Sequence, residues 1–186
     1  MVGSSMDSEK RVIEWIENVL IGLNLCPFAK VPWDNGEWEV TSYKGEDLNE
    51  ARKFALDITN NFIKNKNSSA FIIFPQLKLD FIKFYNFSAL VEQGIEELGL
   101  SKVVQCVTFH PEFRFQGEKK NARGNYVNRS PYPLLHLLDE GTLSAILSEQ
   151  KSDIGEKISH SNSKMLENMP SHEFSERVLK YIKLEG

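Results

Sequence analysis

The alternation of apolar runs with amphipathic segments constrains this fold most strongly. AFIIF at residues 70–74 is apolar throughout and is followed by proline, which is typical of a strand buried on both faces. VVQCVTF at residues 103–109 is a second such run, and EWEVTSY at residues 37–43 alternates as a half-buried strand does. Helical periodicity separates them over residues 47–62 and 79–98. The order β-α-β-α-β predicts one α/β domain with a mainly parallel sheet of three to five strands.

Helices are expected on both faces of this sheet. The first strand alternates while the next two are apolar throughout, so we place the first strand at an edge and both crossover helices on one face. The other face is expected to be covered by an N-terminal helix, capped by Asp7 or Ser8, and by a helix with Ser130 as its N-cap and Pro131 as its first residue. The alternation in residues 112–116 allows a further short edge strand.

Length, composition and charge narrow the class of protein. The 186 residues, 41% hydrophobic and 26% charged, suit a single globular domain over 1–186, with 1–8 disordered and 150–186 forming a helical extension. The net charge of −4 argues against a broad nucleic-acid surface. A local basic patch stays compatible with that charge, and its residues are Arg114, Lys119, Lys120, Arg123 and Arg129. No apolar run approaches the roughly 20 residues of a membrane helix, and the N-terminus lacks a signal-peptide core, so we expect a cytoplasmic protein without a membrane partner.

The ends of the predicted strands carry the first candidate site. Ligands of open parallel sheets bind beyond the carboxyl ends of the strands. His110 ends the third strand before Pro111, where its imidazole can act as a general acid or base, or can merely hydrogen bond and terminate the strand. The guanidinium groups of Arg129 and Arg114 suit a carboxylate or phosphate. For Arg129, an ion pair that holds the loop is an equal alternative.

Cys26 and His136 are weaker catalytic candidates. His136 lies among leucines, where a core histidine is more common than a catalytic one. Cys26 lacks the second thiol of a Cys-x-x-Cys motif; it can be a nucleophile if a neighbouring His or Arg lowers its pKa, but a small buried hydrophobe is the favoured interpretation. Cys26, His110 and His136 form no zinc-ligand spacing, and no nucleotide or cofactor motif is present, so no metal is predicted and the cofactor is left open.

Three segments resemble a known family. IGLNLCPFAK, FHPEFRF and NYVNRSPYPLLHLL are similar to the signature segments of the uncharacterised, mostly bacterial domain-of-unknown-function family 1415, over the chain from about Val12 to Ile158. The resemblance implies no reaction, because no activity is established for that family. The residues that it carries over are Asn24, Cys26, Pro27, His110, Pro111, Arg114, Asn125, Asn128, Arg129, Ser130, Pro131, Tyr132 and His136.

Two function hypotheses follow. In the first, the protein is an enzyme, such as a hydrolase or transferase, that acts on a small anionic metabolite. In the second, it is a non-catalytic anion-binding or protein-interaction module in which Cys26 and His136 only pack. The candidate catalytic residues are His110, Cys26 and His136, and the candidate ligand-binding residues are Arg129, Arg114, Asn125, Asn128, Ser130, Tyr132 and Asn24. A geometry that joins the Cys26 thiol to an imidazole in an open cleft favours the enzyme.

Overall fold

The computed structural model describes residues 5–65, 67–147 and 154–182, which contain one four-stranded sheet in the order β1-β2-β4-β3. The strands are β1 Trp38–Ser42, β2 Ser69–Ile73, β3 Val104–Phe109 and β4 Leu134–Asp139. β1 pairs with β2 in parallel, whereas β4 lies between β2 and β3 and is antiparallel to both. The α/β class is therefore confirmed, as is the edge position of β1, but the sheet is mostly antiparallel and the prediction of a mainly parallel sheet is wrong.

The helices surround this sheet. Their bounds are α1 Ser5–Trp15, α2 Pro27–Asn35, α3 Leu48–Asn65, α4 Phe81–Glu97, α5 Glu140–Leu147, α6 Ile154–Asn168, α7 Ser171–Phe174 and α8 Lys180–Ile182. A π-helical turn, Ile16–Ile21, continues α1, a second, Ser175–Leu179, joins α7 to α8, and a 3-10 helix spans Arg123–Asn128. Residues 1–8 were expected to be disordered, but α1 begins at Ser5, inside that segment. Residues 1–4 lie outside the described part of the chain. None of the described helices is both long and apolar enough to cross a membrane.

The segment predicted to be a helix from Pro131 is instead strand β4. His136 sits in the middle of β4, opposite Phe71 of β2 and Val107 of β3. The physical reason is that LLHLLD is a short apolar run preceded by prolines, a pattern that suits a fully buried strand as well as a helix. Insertion of this strand separates β2 from β3, which run in the same direction.

The edge strand allowed for residues 112–116 is also absent. These residues form a loop because side chains take up their backbone groups. The Phe115 N–H donates to Asn125 Oδ1 at 3.0 Å, and the Phe113 carbonyl accepts a hydrogen bond from Arg129 Nε at 3.1 Å. Backbone groups that are already hydrogen bonded to side chains do not need a neighbouring strand as a partner.

Two apolar layers follow from the alternation of side chains along the strands. On one face, Ala70 and Ile72 of β2 pack with residues of α3 and α4, including Ala55 and Phe84. On the other face, Phe71 and Ile73 pack with α1 and with the C-terminal helices, through residues such as Trp15, Leu166 and Val178. The crossover helices thus share a face, and the C-terminal helices occupy the place that the predicted helix from Pro131 was expected to fill.

Candidate functional site

Two of the candidate segments meet where β2 and β3 end. Leu134, which begins β4, lies opposite Ile73 and Phe109, the last residues of β2 and β3. The segment that leads into β4 therefore reaches the same edge that His110 occupies. The His110 N–H donates to the Asn128 carbonyl at 3.2 Å, which ties the two segments together.

Backbone groups hold both nitrogens of the His110 ring. The Glu112 N–H donates to Nδ1 at 3.0 Å, and Nε2 lies 3.1 Å from the Leu79 carbonyl oxygen. Because Nδ1 accepts, Nε2 carries the proton and the ring is the neutral tautomer. His110 is only 3% exposed, and burial lowers its pKa. In this geometry neither nitrogen is free to transfer a proton.

Arg129 is buried and carries no ion pair within the part of the chain that the structure describes. Its Nε donates to the Phe113 carbonyl at 3.1 Å and its Nη2 donates to the Lys120 carbonyl at 2.7 Å. The guanidinium carbon lies 4.4 Å from the centre of the Tyr126 ring. Arg129 therefore holds the loop through backbone carbonyls, and none of the described carboxylates pairs with its charge.

Arg129 also lines a cleft of about 1080 Å³, which we call the arginine cleft. A second arginine, Arg123, lines the same cleft. Its Nη1 donates to the Met169 carbonyl, and its Nη2 donates to Ser171 Oγ at 2.8 Å. Arg123 lies 4.7 Å from the centre of the Phe174 ring, and that ring meets Tyr126 edge to face at 5.0 Å. Two arginines therefore flank an aromatic pair. The lining residues are Pro111, Glu112, Lys120, Asn121, Arg123, Tyr126, Arg129, Pro131, Ser171, Phe174, Ser175, Leu179 and Ile182.

The electrostatics of the arginine cleft are positive. Among the described residues, three cationic side chains and one carboxylate line it. Lys120 Nζ and Glu112 Oε1 are 3.0 Å apart and offset each other, and this pair is exposed. Arg123, like Arg129, has no carboxylate partner among the described residues. Within the described part of the chain, the two guanidinium groups are thus the uncompensated charges of the cleft.

Two other candidates, Asn125 and Ser130, have no exposed surface and bond within the loop. Asn125 Oδ1 accepts the Phe115 N–H, and its Nδ2 donates to the Lys119 carbonyl at 2.8 Å. Ser130 Oγ donates to the carbonyl of Tyr132 at 2.6 Å. Both side chains shape the loop beside the cleft.

The remaining surface candidates lie apart from one another. Arg114 is exposed and lines a separate groove with Phe81, Phe113 and other residues. Asn24 is exposed and has φ of 54°, a left-handed conformation that asparagine tolerates better than most residues. Tyr132 is half-buried and packs against the core on the α1 side of the sheet.

Cys26 and His136 line a second, smaller cavity of about 150 Å³, together with Asn128. Burial raises the pKa of the Cys26 thiol to about 11, against the opposing effect of the backbone N–H groups of Ala29 and Phe28. The thiol is therefore protonated near neutral pH. Within the described residues no hydrogen bond joins it to either candidate imidazole.

His136 is fully buried in the centre of the sheet. Its ring stacks on Phe71, with centroids 4.0 Å apart, and Nε2 lies 2.8 Å from Ser69 Oγ. Its Nδ1 has no hydrogen-bond partner among the described residues. Burial lowers the pKa of His136 to about 3, so the ring is neutral over the physiological range.

Sequence reasoning missed the contribution of the C-terminal helices. Asn162 of α6 lines the small cavity and donates from Nδ2 to the Leu25 carbonyl at 2.7 Å. Phe174 forms a wall of the arginine cleft. Neither residue stands out in its polar surroundings, whereas Arg123 was visible as part of the basic patch. In residues 5–65, 67–147 and 154–182, no three His, Cys, Asp or Glu side chains group as metal ligands would.

Comparison with known proteins places the chain in a family. A family model described as "protein of unknown function (DUF1415)" matches residues 7–176, which includes most of the C-terminal helical region. No curated protein and no solved structure gives a significant match. Since the matched span is most of the chain, this protein belongs to the DUF1415 family.

Proposed function

We propose that this protein binds a small organic anion in the arginine cleft. The observation that carries the proposal is a pair of guanidinium groups without carboxylate partners in the described residues, one of them, Arg129, only 7% exposed. A buried charge without a counter-charge is unfavourable, and a bound anion supplies that counter-charge. The planar guanidinium of arginine suits a carboxylate or phosphate in particular.

The walls of the cleft favour an anion with an apolar body. Tyr126, Phe174, Leu179 and Ile182 line the same space as the two arginines. Ligand sites for small molecules are mainly apolar with a few polar groups that fix orientation, and their volumes extend to about 1,000 Å³. Aryl or alkyl carboxylates and phosphates combine the two properties that this lining offers.

Binding without turnover is the better-supported form of the proposal. No histidine or cysteine lines the cleft among the described residues. The enzyme form, with His110 as acid or base, requires one ring nitrogen to leave its backbone partner, Leu79 or Glu112. A cytoplasmic location is a further prediction, which rests on the sequence alone.

A thermal-shift comparison of matched anionic and neutral compounds tests the proposal. The panel pairs phenyl phosphate with phenol, benzoate with benzamide, and hexanoate with hexanamide. An anion present at about 100 times its Kd adds about 2.7 kcal/mol of stability. For a chain of this size that corresponds to a rise in Tm of roughly 5 to 10 °C. The neutral partners are expected to give no such rise.

Arginine variants locate the effect. Arg123→Gln keeps a donor for the Met169 carbonyl but loses the charge, so the anion-induced rise in Tm is expected to disappear. The matched control is Arg177→Gln, because Arg177 lies on the neighbouring π-helical turn and pairs with Glu173 at 2.7 Å outside the cleft. Each variant is compared with its own ligand-free protein. The proposal is contradicted if no anion raises Tm, or if the rise survives in both Arg123→Gln and Arg129→Gln.

A further inference from the structure

The small cavity beside Cys26 has a different chemistry from the arginine cleft. It lies between the start of α2, the strands β3 and β4, and helix α6, and we call it the amide cavity. Apolar residues such as Leu20 and Val107 form part of its wall. Its polar side chains are Cys26, Gln105, Asn128, His136, Ser159 and Asn162.

None of the described residues that line the amide cavity is charged. No Asp, Glu, Lys or Arg is among them, the buried imidazole of His136 is neutral, and the Cys26 thiol is protonated. An ion placed there loses its hydration and meets no counter-charge, which is strongly unfavourable. The lining therefore selects for an uncharged occupant.

Hydrogen bonds fix the orientation of the two asparagine amides. Asn128 Nδ2 donates to the Thr108 carbonyl at 3.2 Å, and Asn162 Nδ2 donates to the Leu25 carbonyl at 2.7 Å. Since a backbone carbonyl accepts only from the amide nitrogen, Oδ1 of each amide is assigned by its neighbour. Within the described part of the chain, no donor reaches either Oδ1. The side-chain oxygens of Asn128 and Asn162 are thus available to accept a hydrogen bond from a bound molecule.

His136 adds a second, independent sign that the cavity is incomplete. The residue is completely buried and lines the cavity, yet its Nδ1 has no hydrogen-bond partner among the described residues. Its other nitrogen, Nε2, is already taken by Ser69 of β2. Buried polar atoms are nearly always hydrogen bonded, so an unpaired ring nitrogen at a polar cavity needs an explanation.

We propose that the amide cavity binds a small uncharged molecule that donates N–H or O–H hydrogen bonds, as a primary amide does, to Oδ1 of Asn128 and Asn162. The volume of about 150 Å³ accommodates a molecule of a few heavy atoms. An apolar cavity of about this size stays dry and takes benzene, whereas the polar lining here favours a polar guest. The proposal is independent of the arginine cleft, because different residues form the amide cavity and they favour an uncharged molecule instead of an anion.

Alkylation of Cys26 by two reagents of the same shape provides the test. Iodoacetamide is a primary amide, and iodoacetate is its anionic counterpart. In both reactions the sulfur attacks the CH2 carbon, an S–C bond forms, iodide leaves with the electrons of the C–I bond, and the thiol proton passes to the buffer. The ratio of the two rates at Cys26 is measured by peptide mass spectrometry in the folded protein and in the protein unfolded by guanidinium chloride.

The expected result is selective alkylation in the folded protein. Because the uncharged lining disfavours an anion, we expect the rate ratio to favour iodoacetamide at least about tenfold more in the folded than in the unfolded state. A tenfold difference corresponds to about 1.4 kcal/mol of discrimination. The Cys26 rate is expected to saturate with iodoacetamide, and acetamide, but not acetate, is expected to slow it. Asn128→Asp places a charge in the cavity and should abolish the effect of acetamide, whereas Asn86→Asp at an exposed position on α4 should not.

A second measurement keeps the proposal testable if the variant does not fold. Acetamide and acetate are titrated into the wild-type protein, and backbone amide signals are followed by NMR. Saturable changes with acetamide at residues that line the cavity support the proposal. If acetamide changes neither these signals nor the alkylation rate of Cys26, the proposal is overturned. Ordered water alone is then the occupant of the cavity.

Discussion

The buried His136 makes a quantitative prediction about acid stability. Its pKa falls from 6.5 to about 3 on folding because its burial removes the solvent that would stabilise the imidazolium. Below about pH 6.5, His136 therefore binds a proton in the unfolded chain but stays neutral in the folded protein. This contribution to stability is fully present above pH 6.5 and is lost as the pH falls toward about 3.

The magnitude follows from the linkage between proton binding and folding. Each pH unit below 6.5 lowers the free energy of unfolding by about 1.4 kcal/mol until the folded-state pKa is approached. At about pH 4.5 the loss from His136 alone is about 3 kcal/mol relative to neutral pH. That is a large part of the 5 to 15 kcal/mol that stabilises a typical domain.

The assay is urea unfolding of the wild type and of the double variant Ser69→Ala with His136→Phe, each at about pH 7.5 and about pH 4.5. The variant keeps a ring to stack on Phe71 and removes both partners of the hydrogen bond, so it leaves no new unpaired group. Contributions of carboxylates and of His110 are common to both proteins and cancel. The variant should lose about 3 kcal/mol less stability between the two pH values than the wild type.

A buried hydroxyl supplies the control for this experiment. Thr59→Ala removes the hydrogen bond from Oγ1 to the Ala55 carbonyl and removes no titratable group, so it should leave the pH dependence of unfolding unchanged. Equal losses of stability in the wild type and in the double variant between the two pH values would refute the assignment of a buried neutral imidazole at His136.

Two further predictions concern the segments around the arginine cleft. His110→Ala is expected to lower the free energy of unfolding by about 2 to 4 kcal/mol, measured in urea, because a buried ring is lost and the part-buried backbone groups of Leu79 and Glu112 lose their partners; an effect under about 0.5 kcal/mol contradicts this. Gly124→Ala is expected to destabilise by about 1 to 2 kcal/mol, since its new Cβ meets Ser163 Cβ and Oγ at 3.1 Å. The same change should be milder in the Ser163→Gly background, and a double-mutant cycle without coupling would rule out this contact as the cause.

Local sequence pattern was sufficient to place the first three strands and their connecting helices. The prediction that β3 is buried on both faces is wrong, because β3 lies at the second edge of the sheet and Gln105 is exposed. The continuous apolar run at β2 indicates a strand that is covered on both faces, and the alternation at β1 indicates a strand at an edge of the sheet. LLHLLD was ambiguous, because its five successive apolar or buried positions suit a strand and also begin a leucine-rich helix. The place of β4 between β2 and β3 is a tertiary choice, which no local period encodes.

The candidate site was predictable in its location and less so in its composition. The adjacency of His110 and the segment around Arg129 follows from strand ends sharing one edge of the sheet. The partners of Arg129 are carbonyls of Phe113 and Lys120, and backbone partners leave no mark on side-chain composition. The opposite wall of the cleft comes from residues near Phe174, which lie in a segment with only a weak apolar stripe.

Binding of an organic anion in the arginine cleft is tested most directly by NMR titration of the wild-type protein with phenyl phosphate, with phenol as the neutral reference. We expect saturable changes in the backbone signals of Arg123, Tyr126, Ser171 and Phe174, which line the cleft, and no matching changes with phenol. Changes that fall elsewhere on the protein, that do not saturate, or that phenol reproduces would contradict it.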